Sequence, residues 1–263
     1  MHRISRVFLH LALVLASIAT ILSPAAPANE PIWSKKAKSF PARCFSDDTR
    51  PCKALKIISP DRQSFVQVSF EPNRSTGDLL ASVSVFSHGR NLGPAGLAGF
   101  VEDEIAWSPD SKAFFITGNN NANTEYHVLV YLLRDSGLTV IDSWQNALRD
   151  MIRTFPPCKA SNPYEKCQDI VNHPSDWIGI AGIDWVNGSS SIVVMLEMNE
   201  SSIVGGILGQ ALGYQLEIPT GKILRRMEAK EFARRWQSSM AWKFRVPDPP
   251  EYTRQQNGEA IPR

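Results

Sequence analysis

The chain has 263 residues, with 28 Lys and Arg, 26 Asp and Glu, and four cysteines. That length suits one large domain or two small ones and is ample for a buried core. Residues 1–28 hold two arginines and no acid, so the remainder has 26 basic and 26 acidic residues, a neutral balance that excludes the broad electrostatic footprint of a nucleic-acid binder.

Arg3 and Arg6 precede an apolar run over 7–22, and Ala26-Pro27-Ala28 follows it. A basic start, a short apolar middle and an Ala-x-Ala end are the parts of a secretory signal peptide over 1–28. The run falls short of the ~20 residues that a spanning helix needs. A cleaved signal, no stable membrane span and a secreted or periplasmic mature chain are therefore expected. An even number of cysteines behind such a signal implies disulfides. Three connectivities are open to four cysteines, and the short loops favour Cys44–Cys52 and Cys158–Cys167. No metal or other cofactor is expected. The cysteine spacings are not those of zinc sites, and His173 with Asp169 gives too few ligands once the cysteines are oxidised.

Residues 29–54 hold Pro31, Pro41, Pro51 and the first cysteine pair, and read as an irregular, stapled leading segment. The clearest local signal lies further on, at Trp107-Ser-Pro-Asp-Ser-Lys-Ala-Phe-Phe-Ile116. Ser108-Pro109-Asp110-Ser111 suits a type I turn, since proline presets φ while serine and aspartate bond the local backbone. The apolar residues on either side predict two strands. The arrangement recurs. Ser59-Pro60-Asp61 follows Ile58 as Ser108-Pro109-Asp110 follows Trp107, and Phe65 and Phe114 stand at matching places. In a third copy Trp185 leads into Asn187-Gly188, a common hairpin turn, with Ile192 in the place of Phe114. Each copy runs on through a polar loop to a third strand, over 79–86, 126–133 and 212–218. A fourth strand is readable in at least two copies, over 138–141 and 223–227. Units of four antiparallel strands are predicted at about 55–95, 101–142 and 177–227.

Residues 107–116 resemble the repeat of TolB-like and related WD40-like β-propellers, whose blades carry a tryptophan, a Ser-Pro-Asp-Gly-type turn and a Phe-rich second strand. The resemblance spans roughly 55–227. It implies an all-β fold, a partial or degenerate propeller-like array of antiparallel four-stranded sheets within a β domain at 55–242. Three units are visible, spaced 49 positions from Ile58 to Trp107 and 78 from Trp107 to Trp185.

The longer gap, 143–176, holds a helical, disulfide-stapled insertion. Trp144, Leu148, Met151, Ile152 and Phe155 share one face of a helix over 143–155, with Asp142 or Ser143 as its cap. Pro156-Pro157 stops it. A C-terminal helix is predicted at 228–237, with Phe232 and Trp236 one turn apart, and a polar, proline-rich tail at 243–263.

No stretch spells out a catalytic constellation. Loops on a rigid β scaffold are common binding sites, so Asn119, Asn120, Asn121, Asn123 and Tyr126 are the expected contacts for a protein or small-ligand partner. The glycine-containing stretch 201–210 is a second expected contact. His88 and His127 are read as structural, Glu102-Asp103-Glu104 as a solvated or edge-protecting acidic run, and the tryptophans at 107, 144, 177, 185 and 236 as core. The expected function is exported, non-enzymatic partner binding through loops. The alternatives are an extracytoplasmic hydrolase of sugar or peptide, and an accessory propeller domain of a separate enzyme.

Overall fold

The computed structural model describes residues 31–44, 52–99, 101–119, 126–142, 144–154, 172–198 and 211–244. Residues 1–30, Cys158 and Cys167, the stretch 201–210 and the residues beyond 244 lie outside the described residues. Among the described residues the chain is mostly β, in three antiparallel sheets with two α-helices. None of its helices is long and apolar enough to cross a membrane.

The first sheet contains β3 (Leu55–Ile58), β4 (Ser64–Pro72), β5 (Leu79–Ser87) and β6 (Arg90–Ala95). The second contains β7 (Glu102–Trp107), β8 (Ala113–Asn119), β9 (Tyr126–Arg134) and β10 (Gly137–Ile141). The third contains β11 (Ile178–Val186), β12 (Ser191–Met198), β13 (Ala211–Glu217) and β14 (Ile223–Glu228). Each is an up-and-down meander. The first also has a fourth strand, β6, which the sequence left unmarked because Asn91, Gly93 and Pro94 dilute its pattern.

The repeated turns share one chemistry. Ser59 Oγ donates to Asp61 Oδ1 at 2.6 Å and accepts from Ser64 N at 3.0 Å, while Ser108 Oγ does the same with Asp110 Oδ1 at 2.7 Å and Ala113 N at 3.0 Å. The turns also bond to one another. Asp61 N donates to Ser111 Oγ at 3.0 Å, and Ser189 N and Oγ donate to Asp110 Oδ2 at 3.0 and 2.9 Å. Gly188, at φ +67°, allows this last contact, since a Cβ there would lie 2.7 Å from Asp110 Oδ2.

The sheets stack face to face, with the second in the middle. Phe114 and Phe115 point to its opposite faces. Ile105, Trp107, Phe114 and Tyr131 pack on Ile57, Val66 and Val85 of the first sheet. Ala106, Phe115 and Val130 pack on Ile180, Ile192 and Leu216 of the third. A sheet covered on both faces needs apolar residues at consecutive positions, which accounts for the unbroken run Ala113–Thr117. Burying each such large side chain stabilises by about 1.5–3 kcal/mol. Helix α1 (Gln145–Ile152) seals the seam between the second and third sheets with Leu148 and Met151, preceded by the buried Trp144. It begins at Trp144 without a side-chain cap, so Asp142 does not serve in that role. Helix α2 (Ala229–Trp236) lays Phe232 on the far face of the third sheet, beside Ile183, Val193 and Met195.

The leading segment departs from expectation. It is not irregular throughout: β1 (Lys38–Pro41) pairs with β7, and β2 (Arg43–Cys44) pairs with β5, so residues 38–44 tie the second sheet to the first. The Cys44–Cys52 disulfide closes the loop that follows. These strands are too short to show a period, and Pro41 sits where an edge position tolerates it.

The acidic run is also corrected. Asp103 and Glu104 are fully buried within β7. Glu104 Oε2 accepts from the backbone N–H groups of Ile32 and Trp33 at 2.9 and 3.0 Å, and its Oε1 accepts from Ser34 N at 2.9 Å. Asp103 Oδ1 accepts from Ala98 N and Gly99 N, each at 3.0 Å. Backbone donors make burial tolerable here: those of Glu104 come from a distant segment, and those of Asp103 from the residues just before β7.

Candidate functional site

In all three meanders the connection between the second and third strands leaves from the end opposite the turns at Ser59, Ser108 and Asn187. The expected partner contacts fall at this end. Asn119 closes β8 and stands opposite Tyr126, which opens β9. Asn120, Asn121 and Asn123 lie outside the described residues.

Tyr126 is buried, and its hydroxyl donates to Glu197 Oε2 at 2.6 Å. Burial, reinforced by the neighbouring Glu197 carboxylate, pushes its pKa well above the ordinary value. Tyr126 is thus a fixed, neutral donor. Its ring lies 5.5 Å from that of Trp33, centroid to centroid. Trp33 is in turn held by Glu104. A chain of contacts therefore runs from the buried acid of β7 to the floor of the site.

Above that floor is a cavity of about 200 Å³. It is lined by Tyr126, His127, Ser175, Asp176, Trp177 and Gly179, among others. His127 is partly exposed, and its Nε2 lies 2.9 Å from Asp142 Oδ1. The short helical turn Pro174–Asp176 brings Ser175 and Asp176 to the rim. The structure thus joins Tyr126 with His127, which the sequence reading set aside as structural, and with Asp142, Asp176 and Trp177. The His127–Asp142 pair was readable from hairpin arithmetic. The β9–β10 register, which pairs Val130 with Ile141, places Asp142 diagonally from His127, the i, j±2 relation of neighbouring strands. Asp176 and Trp177 carried no such signal, because the insertion before them hides their place.

A larger cavity of about 500 Å³ opens at the opposite end, where Asp61, His88, Arg90, Asp110, Arg134 and Asp135 are among its lining. Here the carboxylates belong to the turns. The Ser59 hydroxyl, then the Gln63 N–H, hold Asp61 below the ordinary carboxylate range. A carboxylate kept ionised in this way is poorly suited to donate a proton as a general acid. Among the described residues no group of three or more His, Cys, Asp and Glu side chains gathers as metal ligands would.

Searched against protein-family models the chain matches none, and a search of curated proteins finds no match.

The two buried acids of β7 give the fold a pH dependence of unusual sign. Burial pushes Asp103 up to about 8 and Glu104 up to about 7. Both folded values exceed the unfolded ones, so their stabilising contribution is full below about pH 4 and is lost as pH rises through 7 to 8. The lowered carboxylates Asp61, Asp78, Asp110 and Glu231 carry the opposite sign, but they act below their ordinary values near pH 4. Between pH 8 and pH 5 the urea midpoint is therefore expected to rise, by about 1.4 kcal/mol of stability for each pH unit that either acid spends below its folded value. A midpoint that falls on acidification across this window would show that the acids are ionised in the folded protein.

Proposed function

We propose that the chain is an exported, non-enzymatic binding protein, a partial propeller-like array that holds a protein partner through the loops at the Tyr126 end. The observation that carries this reading is the cavity built from Tyr126, His127, Asp176 and Trp177 at the end from which the loops leave. Aromatic and polar groups on strand ends, over a floor fixed by Trp33 and Glu197, are a preorganised surface. The repeat supports the propeller-like part. Trp185 Nε1 donates to Ala106 O and Trp107 Nε1 to Ile57 O, both at 3.2 Å, so each tryptophan bonds the carbonyl just before its counterpart in the preceding unit.

The test is an affinity pull-down with the mature chain from residue 29, using extracytoplasmic extract of its own source. One partner at near-equal stoichiometry is expected. Its capture should drop about tenfold or more with His127→Ala and Asp176→Ala, which alter the rim and leave the core intact. Equal capture by wild type and both variants would remove the site from the proposal.

The His127–Asp142 pair favours one second reading, an extracytoplasmic hydrolase in which Asp142 orients His127 as general base. Under it, Asp142→Asn would abolish hydrolysis of sugar or peptide substrates while leaving partner capture unchanged.

A further inference from the structure

A separate cavity of about 360 Å³ lies where α1 meets the turn between β13 and β14. Its lining is Asn146, Arg149, Asp150, Arg153, Lys222 and Ile223, none of which touches the Tyr126 cavity. The walls are fixed to one another. Asn146 Nδ2 donates to Gly221 O at 3.2 Å, tying the helix to the turn. Asp150 accepts from Tyr214 Oη at 3.0 Å and faces Arg226 at 3.7 Å, so its charge is already engaged.

The three cations differ from their neighbours. Arg225, Arg226 and Arg235 each have a carboxylate partner, Glu231, Glu228 and Glu231 respectively. Arg149, Arg153 and Lys222 form no ion pair among the described residues. The helix dipole favours Arg149 and Arg153 near the C-terminal turn, but it does not account for Lys222, which arrives from another element. Arg149 and Arg153 also stand one turn apart on the same face, where like charges repel. Arg149 is oriented by its own Nε, which donates to Gln145 O at 3.2 Å and leaves its terminal nitrogens available.

We propose that this cavity binds a multiply charged oxyanion carried on a sugar-sized group, such as a phosphate monoester. Planar guanidinium forks and an ammonium match the three terminal oxygens of such an ester. The cavity exceeds what an inorganic phosphate fills, and Ile223 with the Asn146 amide provides an apolar and a hydrogen-bonding contact for the attached group. This inference does not rest on partner binding at the Tyr126 end.

The test is a calorimetric titration of the full mature chain with glucose 1-phosphate, inorganic phosphate and glucose. The ester is expected to bind, more tightly than inorganic phosphate, and glucose alone not to bind. The triple variant R149Q/R153Q/K222Q should weaken the ester by about tenfold or more, and added salt should weaken it in the wild type. Lys35→Gln, an exposed cation outside the cavity, should change nothing. An unchanged thermal midpoint in the triple variant keeps the comparison valid, all three sites being exposed. Equal binding of inorganic phosphate and ester assigns the site to the free oxyanion and overturns the sugar-borne part. Ester binding that survives the triple variant, or no binding of either anion, overturns the site.

Discussion

Glu104→Ala is expected to destabilise the protein by about 3–5 kcal/mol, and to release the leading segment before the sheets open. The carboxylate is fully buried and accepts three backbone N–H groups, from Ile32, Trp33 and Ser34. Removing it leaves those donors with no acceptor. Each buried orphan costs about 1–3 kcal/mol, offset in part by the desolvation that the acid itself no longer suffers. Glu104→Gln keeps one oxygen acceptor and should lose less. Urea unfolding of the protein gives the size of the loss. Hydrogen exchange gives its place: the Trp33 and Ser34 amides should lose protection while those of β12 and β13 keep it. A loss under about 1 kcal/mol would mean that water replaces the carboxylate and that the clamp is not structural.

The same substitution reaches the site. Trp33 lies against Tyr126, and Tyr126 donates to Glu197. Freeing the leading segment therefore removes one wall of the Tyr126 floor without touching any lining residue of the cavity. Partner capture by Glu104→Ala should fall with the loss of Trp33 protection. If capture persists after Trp33 is released, the floor is held by Glu197 alone.

The parts of this fold that were legible in the sequence are those decided locally. The turns at Ser59, Ser108 and Asn187 announce themselves because proline, serine, aspartate and glycine act within four residues. Strands β8, β9 and β13 carry enough β-branched and aromatic residues to be read. What stayed hidden depends on distant partners. Strands β1 and β2 exist because β7 and β5 offer free edges, not because residues 38–44 favour extension. Glu104 reads as a surface acid because the N–H groups that satisfy it lie about 70 positions upstream. Tyr126 was placed near the site by its position after a loop. Asp176 and Trp177 were not, since only the packing of the turn before β11 sets them beside His127.

The first sheet shows what an open end of the repeat looks like. Trp107 and Trp185 are buried against the preceding unit, whereas Ile58, at the matching place, is 56% exposed. Phe65 and Phe86 stack on that outer face, with ring centroids 4.8 Å apart, and Lys56 Nζ lies 3.6 Å from the Phe65 centroid. At the other end of the stack, α2 and Trp33 take the place of a further sheet. The two ends are finished differently, one by a helix and one by a cation over an aromatic pair.

Among the described glycines, Gly118→Ala should be the most damaging single methyl addition, costing about 4 kcal/mol or more. A Cβ at Gly118 would lie 2.1 Å from Gly99 N, 2.2 Å from Asp103 Oδ1 and 2.4 Å from Ala98 C. Two of those three atoms are backbone and the third is a buried carboxylate oxygen, so none can turn aside as the end of a long side chain would. Making room means moving residues 98–99 away from β8. That breaks both N–H donations to Asp103 Oδ1, on an acid whose Oδ2 already has no partner. Gly99→Ala meets the same surface from the other side, its Cβ falling 2.3 Å from Asn119 N. Because the two glycines press on one another, their losses should be far from additive: the double variant should cost little more than either single one. Denaturant unfolding of the two single variants and the double variant checks this. Additive losses, or a Gly118→Ala loss below about 1 kcal/mol, would mean that the 98–99 segment shifts freely. If the segment holds, the damage also reaches Asn119, the next residue in the chain and the last residue of β8 before the loop at the Tyr126 end.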